Sequence, residues 1–300
     1  MVSTTTAPKK EPKQRDSRRR RLTARDTMAL PSLILWLLFL MVPLGILFVY
    51  SFGQLDIITF KMSFDWTVDN YKRLTDALYL GAIVRSLILS ALATVLTLTL
   101  GFPVAYYMSR KSGAMQQLLI VAILIPFWVS FVIRTYAWIN VLDNNGLIAT
   151  ALRSVGLLDG DIGLAYSDKA VLIGMTATYL PLMILPLFVA LDRIDDSLLQ
   201  AAADLGANSR RAMFRVVIPL ARPGIAAGCL LVGVPALGEY VIPSILSGGK
   251  TLMLGNVIGD QFLSVGDYPF GSALATSFMV VLTLFLVISR ARSQGKEDIL

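Results

Sequence analysis

Long apolar runs without Asp, Glu, Lys or Arg divide this sequence into hydrophobic segments joined by polar connections. A run of about 18 or more such residues is long enough to cross the hydrocarbon core of a bilayer as a helix. The candidate spans are Thr27–Leu55, Ser86–Ser109, Ser112–Ile133 (whose apolar character resumes past Arg134 to Leu142), Ala170–Leu191, Pro223–Gly249 (interrupted only by Glu239) and Tyr268–Ser289. Helices satisfy their own backbone hydrogen bonds, as lipid demands. The pattern therefore predicts an all-α integral membrane protein with six transmembrane helices.

Composition agrees with this interpretation and excludes several other classes. The 300 residues are 55% hydrophobic and 16% charged, whereas soluble domains carry about 25% charged residues. The single cysteine, Cys229, cannot form an internal disulfide, so a disulfide scaffold is excluded. The chain contains no His, and therefore lacks the commonest metal ligand and the commonest general base in proteins.

Basic residues are distributed unevenly, which predicts the orientation of the spans. Nine of the 27 Lys and Arg residues lie in the first 25 positions, where we expect a tail against anionic lipid rather than nucleic acid, since no aromatic residue is interleaved. Nineteen of the 27 fall on one side of the predicted topology. By the positive-inside rule, both termini are expected in the cytosol. The predicted organisation is a basic tail (1–27), a transmembrane domain (28–290) and a C-terminal tail (291–300).

The connection at 192–222 is longer than a simple helix linker requires and has internal helical signals. Asp195, Asp196 and Ser197 are candidate N-caps, and Gly206 suits the left-handed position that ends a helix. Asn208 or Ser209 is expected to cap a second helix that ends at Pro219. Composition alone leaves two interpretations open: an interfacial hairpin near lipid headgroups, or a docking surface for a cytosolic partner.

The residues of this connection resemble the coupling loop of permeases from bacterial ABC importers. The matching stretches are Gln200-Ala-Ala-Ala-Asp-Leu-Gly206, Val217-Ile-Pro-Leu220 and Arg222-Pro-Gly-Ile225. Further stretches are similar to spermidine/putrescine-type permeases: Asp69–Leu74, Ile125–Ser130 with Ile133–Trp138, Pro235–Pro243, and Leu254–Ile258 with Asp267–Phe270. Gln200 departs from the family's Glu at that position, so docking is expected to be weaker by about 1 kcal/mol.

This resemblance implies a type I ABC importer permease fold in a bacterial inner membrane and a transport subunit without catalysis of its own. It implies three partners: a second permease, a dimer of ABC ATPase subunits that binds the ATP and Mg²⁺, and an extracytoplasmic solute-binding protein. We expect no cofactor on this chain. The residues that the resemblance assigns to ATPase coupling are Gln200, Ala201, Ala202, Asp204, Gly206, Arg211, Phe214 and Pro219.

A substrate pathway is predicted around Glu239, a charged residue at membrane depth. The alternatives are that Glu239 pairs with Arg134 or Arg85, or lies near the outer interface. Aromatic faces hold ammonium groups through cation–π contacts, although Trp and Tyr also populate interfacial belts. The aromatic candidates for the same cavity are Trp128, Tyr136, Trp138 and Tyr240.

Three functional hypotheses follow from the sequence. The favoured one is an importer permease for a small cationic solute, with polyamines first and opines, amino-acid derivatives or ferric ion as alternative cargo. A secondary transporter would need coupling-ion sites near the midplane, and Glu239 is the single acidic residue inside the six predicted spans. An intramembrane enzyme would need a His, a metal set or an acid pair, none of which the predicted spans contain.

Overall fold

The computed structural model describes residues 24–56, 59, 61–157 and 160–297, and the predicted basic tail therefore lies almost wholly outside the described residues. The chain divides into two compact units, residues 1–46 and 47–300. The first helix, α1 (Ala24–Tyr50), contains an apolar segment, Pro31–Tyr50, long enough to cross a membrane. Two short antiparallel strands follow, β1 (Gln54–Leu55) and β2 (Met62–Ser63).

Helices make up most of the second unit. Up to the connection at 192–222 they are α2 (Asp69–Arg73), α3 (Ala77–Ser109), α4 (Gly113–Leu124), a 3₁₀ turn (Ile125–Trp128), α5 (Phe131–Leu142), α6 (Leu147–Ser154) and α7 (Asp168–Asp192). Within this connection and after it come α8 (Asp196–Asp204), α9 (Ser209–Ala212), a π turn (Met213–Val217), α10 (Ile218–Leu237), α11 (Val241–Leu246), α12 (Leu254–Asp260), a second π turn (Gln261–Val265) and α13 (Tyr268–Glu297).

The all-α prediction is confirmed. Within the described residues, five helices are long and apolar enough to cross a membrane, and a bent pair makes up to six. The predicted second, fourth and sixth spans coincide with α3, α7 and α13. Helix α13 continues to Glu297, seven residues beyond the predicted end of the transmembrane domain at residue 290.

The third predicted span is not one straight helix. Gly113–Trp128 and Phe131–Ser154 meet at an angle of 93°. The break follows Pro126, which lacks an amide hydrogen, and Val129 is extended with ψ of 136°. Arg134 donates from Nη1 to the Pro126 carbonyl at 2.7 Å. The guanidinium therefore satisfies a backbone group near the bend.

The fifth predicted span is shifted toward the N-terminus. Its helical segment runs over Ser209–Leu237, so the second helix of the 192–222 connection does not end at Pro219. A proline in a regular helix clashes with the preceding turn, but here the wider π turn at Met213–Val217 lies directly before it. The same shift leaves Glu239 just beyond the C-terminus of α10, rather than 16 residues into a span.

The core lies where α3, α7 and α10 pack against one another. Small residues bring α7 and α10 close together. A Cβ at Gly224 would lie 2.4 Å from Ala190 Cβ, and one at Gly228 would lie 2.6 Å from Met183 Sδ. Such spacing of Gly four residues apart permits the close approach by which membrane helices associate. Helix α7, with 13 buried residues over its length, is the central element of this packing.

Candidate functional site

The coupling hairpin, which we define as residues 195–219, is built by local capping. Asp195 accepts a hydrogen bond from the Ser197 amide at 2.8 Å, and Asn208 accepts one from the Arg211 amide at 2.9 Å. The amide bond to Ser197 holds the pKa of the Asp195 carboxyl below its usual value. The cap is therefore ionised at neutral pH, where a negative charge at a helix N-terminus is favourable.

Helix α8 ends in a Schellman motif. Gly206 has φ of +79°, its amide bonds the Ala203 carbonyl at 2.8 Å, and the Ala207 amide bonds the Ala202 carbonyl at 2.9 Å. This conformation favours glycine, because a side chain at positive φ meets its own backbone. The prediction for Gly206 is confirmed by its backbone angle. Of the candidate N-caps, the structure selects Asp195 for α8 and Asn208, rather than Ser209, for α9.

The hairpin presents apolar side chains to its surroundings. Leu205 is 89% exposed and Phe214 is 65% exposed. Among the other residues that the resemblance assigned to ATPase coupling, Gln200, Ala201, Asp204, Gly206 and Arg211 are exposed, whereas Ala202 and Pro219 are half-buried. Exposed large apolar side chains amid polar ones are typical of an interaction surface. The role assigned to these residues remains a prediction.

Glu239 lies in the break between α10 and α11 and is 7% exposed. One carboxylate oxygen accepts a hydrogen bond from the Tyr179 hydroxyl of α7. The other accepts bonds from the Val241 and Ile242 amides, at 3.0 and 3.3 Å. The carboxylate therefore caps α11 and ties α7 to the break. Neither Arg134 nor Arg85, the partners considered from sequence, bonds to it: Arg134 bonds the Pro126 carbonyl, and Arg85 lies 3.4 Å from the Lys250 carbonyl.

The break is held from the other side by α12. Asn256 donates from Nδ2 to the Tyr240 carbonyl at 3.0 Å and to Ser244 Oγ at 2.7 Å. A Cβ at Gly255 would lie 2.5 Å from the carbonyl oxygens of Gly238 and Glu239. The Tyr240 ring packs against Gly259, whose added Cβ would lie 2.6 Å from a ring carbon. The backbone around Glu239 is therefore closely enclosed.

A cavity of about 190 Å³ lies beside Tyr179 and is bordered by Arg134 and Thr178. Thr178 Oγ1 and Arg134 Nε are buried without a hydrogen-bond partner among the described residues. The predicted aromatic candidates do not line this cavity. Trp128 is 81% exposed, Tyr136 is 55% exposed, and Trp138 packs against the core. The structure thus places Tyr240 beside Glu239 but does not gather the other three around it.

Sequence reasoning missed Tyr179 and Asn256, which bond to the break, and Thr178, which borders the cavity beside Tyr179. The apolar pattern around them does not indicate which distant group each side chain contacts. The one available signal was that a buried polar side chain in a span requires a hydrogen-bond partner. Within the described residues, no group of three or more His, Cys, Asp or Glu side chains is arranged to hold a metal ion.

Comparison with known proteins gives a consistent result over most of the chain. Residues 97–294 match the family described as binding-protein-dependent transport system inner membrane component. The spermidine/putrescine transport system permease protein PotB of Salmonella typhimurium is 37% identical over 280 residues, covering 91% of this chain and 97% of that protein. The PotB protein of Escherichia coli is 38% identical over 255 residues, covering 84% and 92%.

Solved structures share the fold at lower identity. A chain from the crystal structure of a bacterial ABC transporter that imports the acidic polysaccharide alginate superposes with a TM-score of 0.69. It is 18% identical and covers 89% of this chain and 94% of that one. The alginate transporter in complex with an alginate pentasaccharide-bound periplasmic protein gives a TM-score of 0.66 at 18% identity.

Proposed function

Because the chain belongs to the family of binding-protein-dependent transport system inner membrane components, we propose that it is a permease subunit that passes polyamines through an ATP-driven importer. Membership makes it an inner-membrane transport component rather than an enzyme. The observation that carries the polyamine cargo is the 37% identity to PotB of Salmonella typhimurium over 97% of that protein. Opines, amino-acid derivatives and ferric ion remain the alternative cargo.

The partners we propose are a second permease, a dimer of cytosolic ABC ATPase subunits carrying ATP and Mg²⁺, and an extracytoplasmic solute-binding protein. This chain itself is proposed to bind no cofactor and no nucleic acid. The coupling hairpin is the proposed ATPase contact, since Leu205 and Phe214 are exposed at its surface. Gln200 stands where the family has Glu. An ion pair from that Glu to the ATPase would become a neutral hydrogen bond here, which would weaken docking by about 1 kcal/mol.

Both termini are proposed to be cytosolic, with the basic N-terminal tail against anionic lipid. Contacts between connections support the alternation of ends that this topology requires, and the sidedness itself rests on the distribution of Lys and Arg. Arg110, after α3, bonds Asp196 at the start of α8, so these two connections meet. Arg73, before α3, lies 2.9 Å from Asp267, just before α13, so these two connections meet as well.

Movement of the hairpin would reach the break at Glu239 through one continuous helical segment. Ser209–Leu237 begins in the hairpin and ends two residues before Glu239. ATP-driven closure of the ATPase dimer would displace α8 and α9, and the segment would carry that displacement along its length. The bond between Tyr179 and Glu239 would then couple it to α7. Solute selectivity would lie mostly in the binding protein.

The experiment is uptake of labelled spermidine and putrescine by proteoliposomes that hold this chain with its permease, ATPase and binding-protein partners. We expect uptake to require internal ATP. Uptake without ATP that collapses with the ion gradient would contradict the importer mechanism in favour of a secondary transporter. ATPase activity that is stimulated by another cationic solute, with no polyamine uptake, would contradict the cargo alone.

A substitution at Gly206 tests the hairpin within the same assay. We expect Gly206→Val to lower ATP-dependent uptake about tenfold, because a side chain at positive φ costs about 1–2 kcal/mol. Gly249→Val is the matched control, since Gly249 also has φ of +79° and open space around its Cβ. Equal loss in both variants would indicate general destabilisation and would contradict the coupling role.

A further inference from the structure

The α3–α4 corner contacts the start of the coupling hairpin through Arg110. The Arg110 guanidinium donates from Nη1 to the Asp196 carboxylate and to the Ile194 carbonyl, the latter at 3.3 Å. Its Nη2 group donates to the Leu191 carbonyl at 3.4 Å. The Arg110 side chain is 21% exposed, whereas Asp196 is 72% exposed. One side chain therefore links three points of the chain about 80 residues away.

Each of these acceptors is at a helix end where charge matters. Leu191 lies in the last turn of α7 and Ile194 follows it, where carbonyls lose their regular helical partners. The Leu191 carbonyl also accepts a bond from the Ile194 amide at 3.2 Å. Asp196 is the first residue of α8, where a carboxylate opposes the positive end of the helix dipole. The guanidinium thus caps the C-terminus of α7 and holds the N-terminus of α8 at the same time.

The chemistry requires arginine in particular. The planar guanidinium has several donors in fixed directions, so it can bond two carbonyls and a carboxylate together. A lysine ammonium supplies one point charge and cannot span them in the same way. A second bond supports the contact from the same corner, because Gln116 of α4 donates from Nε2 to Asp192 Oδ1 at 2.8 Å.

We propose that Arg110 is a positioning residue that transmits displacement of the coupling hairpin to α3. This inference rests on the proposed function, since it assumes that the ATPase moves the hairpin. Helix α10 receives the displacement through the continuous segment described above, and α7 receives it through its own C-terminus. Arg110 brings α3, the third helix of the core, into the same movement. All three core helices are then connected to α8 and α9.

The test compares uptake per ATP hydrolysed in proteoliposomes of the complete importer. We expect Arg110→Gln to lower this ratio at least fivefold while ATPase activity persists. Arg110→Lys should give an intermediate ratio. Arg193→Gln is the matched control. Arg193 directly precedes Ile194, is exposed, and makes no side-chain bond within the described residues. A wild-type ratio in Arg110→Gln would overturn the proposal.

Asp196→Asn keeps the proposal testable if Arg110→Gln does not assemble, because Asp196 is exposed and its loss leaves the core intact. It should lower the ratio by less than Arg110→Gln is expected to do, and an unchanged ratio would count against the proposal.

A second readout does not depend on cargo. Spin labels attached to Leu205→Cys and Met115→Cys, in a Cys229→Ser background, report the distance between the coupling hairpin and α4. The distribution of this distance should be narrow, should broaden in Arg110→Lys and should stay narrow in Arg193→Gln. Absence of polyamine uptake in the wild type would refute the cargo, whereas an unchanged distribution would refute the Arg110 contact.

Discussion

At the scale of the single residue, Glu239 shows how a buried carboxylate is made tolerable at the end of a membrane helix. Its oxygens accept bonds from the Tyr179 hydroxyl and from two backbone amides. A buried charge would be costly if it were left without partners. The three donors provide the hydrogen bonds that water would provide to an exposed carboxylate. Glu239 is therefore a structural link whether or not solute reaches it.

This arrangement predicts an order of destabilisation. Glu239→Ala should lower the melting temperature of the purified complex more than Tyr179→Phe, because it removes the cap of α11 and also strands the tyrosine hydroxyl. Tyr179→Phe removes one charge-assisted bond, worth about 1.5–3 kcal/mol. Tyr136→Phe is the control, since Tyr136 is 55% exposed. Equal melting temperatures for Tyr179→Phe and Tyr136→Phe would contradict the link.

Sequence reasoning identified the residues whose conformation depends on local hydrogen bonds. Gly206 was predicted, and Asp195 and Asn208 were among the candidate caps, because caps and left-handed positions depend on bonds within a few residues. The partner of Glu239 could not be found in this way, because Tyr179 is 60 positions away and nothing local selects it. The contact depends on how α7 and α10 pack, which is a tertiary property.

At the scale of the element, the approach of α7 and α10 depends on glycine. Gly224→Ala should destabilise the protein strongly, because its Cβ would lie 2.4 Å from Ala190 Cβ and 2.8 Å from the Pro186 carbonyl. Neither atom belongs to a flexible side chain that can move aside. Overpacking of this kind costs about 1–3 kcal/mol. The melting temperature of the purified complex measures the effect.

The control for this prediction is Gly81→Ala in α3. No atom lies within 4 Å of a Cβ built at Gly81, so the replacement meets no neighbour. Alanine is a better helix former than glycine by about 1 kcal/mol. We expect Gly81→Ala to leave the melting temperature unchanged or to raise it. A similar fall in both variants would mean that the α7–α10 contact is not the cause.

The ends and bends of the membrane helices were harder to predict from apolar runs than the helices themselves. Apolar length located α3, α7 and α13 well, because lipid selects long uncharged helices. It did not show the 93° bend after Pro126 or the continuation of the helix through Pro219. In the first case an arginine bonds the proline carbonyl near the bend, and in the second a π turn adjoins the proline. Proline alone does not distinguish these outcomes.

At the scale of the whole molecule, distant parts of the chain are joined at the end opposite the coupling hairpin. Arg73 of α2 lies 2.9 Å from Asp267, and its guanidinium carbon lies 3.9 Å from the centre of the Phe270 ring. Asp267 also accepts a bond from the Phe270 amide at 3.1 Å. The two motifs that resembled spermidine/putrescine-type permeases, Asp69–Leu74 and Asp267–Phe270, are therefore one structural unit.

This unit predicts different effects for two adjacent basic residues. Arg73→Gln should cost about 1 kcal/mol, since it removes a half-buried ion pair and a cation–π contact. Lys72→Gln should have little effect, because its pair with Asp69 is exposed on both sides. Melting temperature and limited proteolysis of the purified complex measure both variants. Equal sensitivity would show that the Arg73 contact does not hold the two motifs together.

Helix α3 is longer than the membrane that it crosses. Its 33 residues correspond to about 50 Å of helix, against a hydrocarbon core of about 30 Å. Even the uncharged part from Ser86 to Ser109 exceeds that thickness, so hydrophobic mismatch favours a tilted helix or a locally thicker bilayer. Arg110 follows one end of α3 and α2 precedes the other. We therefore expect the transport rate of the importer to depend on the thickness of the bilayer, and hence on the lipids of the membrane.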